Sequence, residues 1–302
     1  MEILDFKTEM LGDVAGLFNR GVAGVPNCWP VEEADFAGAV AAVSGGESDG
    51  GPSVGDQALS VAALGGEVVG FAHTGIDRRD PGEAPRGAIC FLCYERGCRA
   101  AGQKLLAAAE SAFAARSLTE VCAFDSSYRY RFYCFPHAYL SDRLDHVSAL
   151  LQFNGYRLTG GEVFLNGLDY EAAGLPRVDL DFDLTVAWPR ERGLRPGCHV
   201  VAQRDGETMG ECEIACGGDY SRHPDAQDYG FVNWLGVEEP YQHRGLGKLL
   251  LFRARNEMLA AGYRHTAIST ARHNNRAFLF YSNHGYRVVD WTYQLSKSLD
   301  LE

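Results

Sequence analysis

Two glycine-marked segments each occur twice in this chain, in the same order, and that duplication limits the fold more than any other feature. Arg244-Gly245-Leu246-Gly247-Lys248-Leu249-Leu250-Leu251 lies over Arg99-Ala100-Ala101-Gly102-Gln103-Lys104-Leu105-Leu106. Downstream, Asn283-His284-Gly285-Tyr286-Arg287-Val288 lies over Phe153-Asn154-Gly155-Tyr156-Arg157-Leu158. At 302 residues the chain has about twice the usual domain length, so two similar domains are expected, over 1–170 and 175–302. Between the landmarks the first copy is 15 residues longer, and the aromatic stretch Ser127–Ser141 accounts for the difference.

Apolar spacing predicts the elements of each copy. In the first, strand Glu2–Phe6 precedes helices Met10–Val22 and Val31–Val43, and the Gly/Ser-rich run Gly45–Ser53 reads as a surface loop. A hairpin, Leu59–Leu64 with Glu67–His73, turns at Gly65-Gly66. Strand Ala88–Tyr94, helix Arg99–Arg116, strand Glu120–Asp125, a helix over Asp142–Phe153 and paired strands around Tyr156 and Val163 follow. Much of this order returns after Asp183: strand Leu184–Trp188, hairpin His199–Arg204 with Met209–Cys216, strand Phe231–Val237 and helix Leu246–Ala260. Strand His265–Thr270, helix Asn275–His284 and terminal strands from Tyr286 complete it. The class is α/β, with an α+β mixed sheet in each copy. Only Pro189–Cys198 separates the first two strands of the second copy, too short for the helix pair of the first. Something else must then cover that sheet face and wall its groove, and the neighbouring domain is the expected supplier.

Composition narrows the partners. A formal net charge of −12 repels phosphate backbones and anionic lipid, so neither nucleic acid nor a membrane is expected, whereas a cationic amine is electrostatically compatible. No basic and apolar leader opens the chain and no run of about 18 apolar residues occurs, which predicts a cytoplasmic protein. A monomer or homodimer is expected, with no sequence feature choosing between them. Nine cysteines scattered over this length suit free thiols in a reducing compartment. Cys90 and Cys93, with Cys98 beyond, invite a zinc reading, but no second ligand pair follows at zinc spacing, so no metal is expected.

The chemistry-bearing segment is the strand Phe231–Val237 running into Gln242-His243-Arg244-Gly245-Leu246-Gly247-Lys248. A glycine-containing turn at a helix start leaves several N–H groups without internal partners where the macrodipole is positive, which makes a cradle for an anion. Gly245 and Gly247 let the backbone come close to phosphate oxygens, and Arg244 and Lys248 add charge. Further on, Asn274 to Gly285 reads as a helix closed by glycine, with Ala277 and Tyr281 four apart on one face. Gln242-x-x-Gly245-x-Gly247 followed by Asn274-x-x-Ala277-x-x-x-Tyr281-x-x-x-Gly285-Tyr286 resembles the acetyl-CoA-binding motifs of the GNAT superfamily of N-acetyltransferases. The resemblance covers Val200–Ser296 well and the first copy weakly.

That resemblance implies two GNAT-like folds in tandem and an enzyme moving an acetyl group from acetyl-CoA to the amine of a small molecule or peptide. The backbone of Leu235, Gly236 and Val237 would pair with the pantetheine arm, the amides from Gln242 to Lys248, Leu246 included, would hold the pyrophosphate, and Asn274 and Ala277 would lie beside the cofactor. Tyr281 would protonate the departing thiolate, and a phenol is indeed a donor at neutral pH. For the base, alternation places Glu211 and Glu213 on one face of Met209–Cys216; Glu213 is the choice, with Asp228 and Glu238 open and Asn233 a polar neighbour. In the first copy Gly97 replaces Gln242, Ala100 replaces Gly245 and Leu151 replaces Tyr281, a degenerate site, so one acetyl-CoA per chain is expected. The aromatic stretch 127–141, with Arg129 and Arg131 between its rings, would line an acceptor groove or plug a domain interface. The alternative is a non-catalytic acyl-CoA-binding or sensing protein, in which Tyr281 has no use as an acid.

Overall fold

A computed structural model of the full chain describes all residues except 48–50, 52, 80–81 and 300–302, so part of the expected loop 45–53 lies outside the described residues. The chain forms two compact units, Met1–Val163 with Asp290–Glu302, and Phe164–Val289. The last strand therefore ends in the first unit, although its sequence follows the second copy.

The first unit begins with β1 (Glu2–Asp5), α1 (Leu11–Val22), α2 (Glu33–Val40), β2 (Gly55–Leu64), β3 (Glu67–Asp77) and β4 (Arg86–Tyr94). It continues with α3 (Arg99–Ala114), β5 (Glu120–Ala123), β6 (Leu140–Ser141), α4 (Asp145–Phe153) and β7 (Arg157–Gly160). Its sheet is antiparallel from β1 to β4, and α3 makes the crossover to the parallel partner β5. Gly70 lies against Leu105 of α3, so the next residue, Phe71, points to the opposite face, where Phe18 of α1 and Phe36 of α2 pack.

The aromatic stretch fills that face rather than lining an open groove. Tyr128, Tyr130, Tyr133 and Phe135 are buried, and the Tyr130 ring lies 5.5 Å from both Phe36 and Phe91. Arg129 turns its guanidinium back onto the carbonyls of Tyr130 and Arg131. Apolar area decides the outcome: rings of this size contribute most when fully withdrawn from water.

The second unit takes the end of β8 (Glu162–Gly167), then β9 (Asp183–Ala187), β10 (Cys198–Arg204), β11 (Glu207–Cys216), β12 (Tyr229–Val237), α5 (Leu246–Ala260), β13 (His265–Ala271) and α6 (Asn275–Asn283). β9 to β12 are antiparallel and β13 joins β12 in parallel across the α5 crossover. Leu246, Leu250, Ala254 and Met258 of α5 are buried on the sheet, whose matching side presents Val200, Cys212 and Ile214. The expected terminal strands are a single element, β14 (Arg287–Ser298), since the segment holds no glycine, proline or asparagine to turn it.

Candidate active site

The cleft of the second unit exists because β12 parts from β13. Parallel pairing runs from Tyr229 with His265 to Val232 with Ile268, whereas β12 stays bonded to β11 as far as Val237 with Gly210. At the parting point β12 carries one residue more than β11. Trp234 opposes Glu213 and Val232 opposes Ile214, which leaves Asn233 as a bulge. From Asn233 to Val237 the edge that faced β13 is a row of backbone groups available to an extended chain.

Beyond β12, His243 and Gly245 have φ of 62° and 87°, and left-handed residues set between others turn successive N–H groups to one side. Glycine takes this conformation without the strain a Cβ brings. α5 starts with no side-chain cap. Leu249 is the first of its amides with an acceptor, the Gly245 carbonyl at 3.1 Å, so the amides of Leu246, Gly247 and Lys248 remain to be satisfied from the cleft. A Cβ on Gly247 would make only ordinary contact with Val237, at 3.5 Å, so packing does not demand glycine there.

Gln242 ties the turn together. Its Nε2 donates to the Val237 carbonyl at 2.8 Å and its Oε1 accepts from Arg276 at 3.2 Å. Asn274 caps α6, its Oδ1 accepting from the Ala277 amide at 3.1 Å. Tyr281 is 6% exposed and, among the described residues, its hydroxyl is in no hydrogen bond; burial pushes the phenol above its ordinary range, so it stays protonated.

These elements enclose about 590 Å³. Leu235, Gly236, Val237, Gln242, His243, Gly245, Leu246, Gly247, Lys248, Asn274, Ala277 and Tyr281 all line it, whereas Arg244 points outward, exposed, and is not part of the lining. Sequence reading missed Trp234, Tyr241, Arg276 and Phe280, which also line the cleft. Arg276 is legible in the sequence, since it stands inside the Asn274-to-Tyr281 pattern; Trp234 is not, because the bulge decides which face it occupies. Lys248 and Arg276 give the mouth a positive character against the acidic whole.

Glu213 lies outside the lining, on the sheet face turned away from α5, and its Oε1 accepts from Asn233 Nδ2 at 3.1 Å. Asp228 is engaged by Arg195 at 2.9 Å, and Glu238 is exposed. Among the described residues no group of His, Cys, Asp or Glu is placed to hold a metal ion, and no helix is long and apolar enough to cross a membrane.

The first unit has a smaller counterpart, about 410 Å³, lined by Tyr94, Arg96, Gly97, Arg99 and residues of α4. β4 likewise leaves β5 after Ile89, but Cys90–Tyr94 are buried and the Phe91 ring meets Phe124 at 5.3 Å and Tyr133 at 5.1 Å. Leu151, at the position of Tyr281, is fully buried.

A sheet that splays beside a crossover helix, with the helix start facing the gap, is the acyltransferase arrangement of the GNAT fold. Residues 195–288 match the family model of the acetyltransferase (GNAT) domain, and this part of the chain is such a domain. The whole chain has the tandem GNAT fold. It is similar to a tandem GNAT protein from the clavulanic acid biosynthesis pathway, at 17% identity and TM-score 0.69, with 98% of each chain covered. A GCN5-related N-acetyltransferase from Sphaerobacter thermophilus aligns over 98% of this chain and 95% of its own, at 13% identity and TM-score 0.62. A GCN5-related glucosamine N-acetyltransferase region of a fungal multi-domain GH3 β-N-acetylglucosaminidase aligns at 16% identity and TM-score 0.66, over 98% of this chain and 38% of that one. No curated protein matches the chain.

Proposed function

We propose that the chain is an acetyl-CoA-dependent N-acetyltransferase that acetylates a primary amine of a small molecule or peptide by direct transfer, in the cytosol. The observation that carries this reading is that Tyr281 lines the same cleft as the open edge of β12 and the uncapped start of α5. The strand edge suits the two amides of a pantetheine arm, and the turn amides with Lys248 suit a pyrophosphate. Arg276 holds the turn through Gln242 rather than replacing those amides.

In the reaction the neutral amine attacks the thioester carbonyl, the carbon–sulfur bond breaks, and two protons must move. Tyr281, kept neutral by burial, gives its proton to the thiolate. Glu213, held by Asn233, receives the proton the amine loses, through water. Nine cysteines that remain free thiols are in keeping with a cytosolic setting.

Release of free CoA across a panel of amines, with wild type and Tyr281→Phe, tests the proposal. A transferase loses on the order of 10²-fold or more in kcat in the variant while acetyl-CoA still binds. Tight acetyl-CoA binding with no turnover of any amine would instead identify a non-catalytic acyl-CoA sensor.

A further inference from the structure

The sheet face turned away from α5 gathers a second set of residues at the opening of the cleft. Directly opposed residues of antiparallel strands point to the same side. Gly210 lies against Leu250 of α5, so Glu211 and Glu213 point the other way, and the register sets Gly236 opposite Glu211 and Trp234 opposite Glu213. His199 of β10 opposes Glu213 and reaches Glu211, with Nε2 2.9 Å from Oε2.

Trp234 is the unusual member. Its side chain is large and apolar, yet 56% exposed. It lies down along its own strand: a Cβ built on Gly236 would stand 2.8 Å from the indole Nε1, so the ring keeps this position only because residue 236 has no side chain. The bulge at Asn233 puts it on this face, since without that extra residue alternation would turn position 234 towards α5. An exposed indole beside two carboxylates, in a cleft otherwise rimmed by cations, is suited to a positive group: the ring face attracts it by its quadrupole and a carboxylate by its charge. Two residues along a strand separate Glu211 from Glu213 by about 7 Å.

We infer that the acceptor carries a second positive charge. One amine reacts at Glu213, and an ammonium group about 7 Å away rests on the Trp234 indole against Glu211, which His199 holds in place. The substrate class is a diamine or a comparably basic amino compound rather than a simple monoamine. The assignment of the reacting amine to Glu213 rests on the transferase reading above; the ammonium subsite does not.

The test is calorimetry on the full chain saturated with free CoA, with 1,4-diaminobutane compared with butylamine, in wild type, Glu211→Gln and Trp234→Leu. The diamine is expected to bind about tenfold more tightly than the monoamine, the sum of a modest cation–ring contact and one ion pair. Each variant should shrink that ratio to about threefold or less while keeping the wild-type melting curve. Equal affinities in wild type, or a ratio that survives both substitutions, overturns the inference. Turnover of the same pairs with acetyl-CoA reads the other proposal separately. Equal kcat/KM for diamine and monoamine would remove the subsite and leave the transferase standing, whereas preferential diamine binding with no acetylation keeps the subsite and removes the chemistry.

Discussion

The side-chain amide of Gln242 closes a ring between the end of β12 and the turn before α5, its Nε2 2.8 Å from the Val237 carbonyl. Through Oε1 the same amide also takes a bond from Arg276 on α6, so one residue fixes the spacing of the three elements that surround the cleft. Replacing Gln242 with alanine removes both contacts and loosens the nest. Acetyl-CoA binding is expected to weaken by about two- to tenfold, the worth of one net hydrogen bond, which titration calorimetry would show. An unchanged Kd would mean that the turn holds its shape without this brace.

Tyr281 gives a prediction about pH. Burial raises its phenol above the ordinary range, so between pH 6 and 10 it carries its proton throughout and contributes no titration to the rate profile. kcat is therefore expected to show no fall on the alkaline side up to about pH 10, and Tyr281→Phe should lower the whole curve without changing its shape. An alkaline limb near neutral pH that disappears in the variant would place the proton donor's pKa far lower than its burial allows.

Cofactor stoichiometry follows from the first unit. There the opening beyond Ile89 is filled by Phe91, Phe124 and Tyr133, and a leucine occupies the position of the acid. A single acetyl-CoA is expected per chain. Calorimetry resolving two equivalent sites would show that the smaller cleft beside Arg96 and Arg99 takes the cofactor after all.

Two buried groups in the first unit give opposite pH dependences of stability. Burial pushes Asp290 up to about 6, its Oδ2 accepting a bond from Ser141 at 2.6 Å. The folded form then holds a proton that the unfolded chain loses near pH 4, so stability falls as pH rises from about 4 to 6, by about 3 kcal/mol in all. His73, buried with Tyr130 and Gln57 as ring partners, is pushed down to about 3. There the unfolded chain takes up the proton first, and stability falls as pH drops from about 6.5. Asp290→Asn is expected to raise the denaturation midpoint at pH 7 and to expose the His73 slope on the acid side. If the variant is no more stable at pH 7 than wild type, the carboxylate at 290 costs less than its burial implies.

Local signals carried much of this fold in the sequence. α5 begins at Leu246 and ends at Ala260 where its spacing and flanking glycines put it, and α6 begins at Asn275. The turn residues were legible because glycine and helix-start chemistry are properties of a few consecutive positions. The bulge was not, since it is a mismatch between β12 and β11, and neither strand alone records it. The face that Trp234 occupies, and with it the pairing of Trp234 with Glu213, depends on that mismatch. The stretch 127–141 was ambiguous for a different reason: rings separated by arginines look alike whether they face a groove or fill a core, and only the partners Phe18, Phe36 and Phe91, far away in sequence, decide it.

Helix α5 has no side chain of its own to close its first turn. In the empty protein, water must serve the amides of Leu246, Gly247 and Lys248, and the first turn is the part of the helix most open to fraying. A diphosphate seated there would complete the helix as a capping residue does, so that occupancy and local folding of this turn become one equilibrium: amide exchange at these residues should slow in step with ligand saturation.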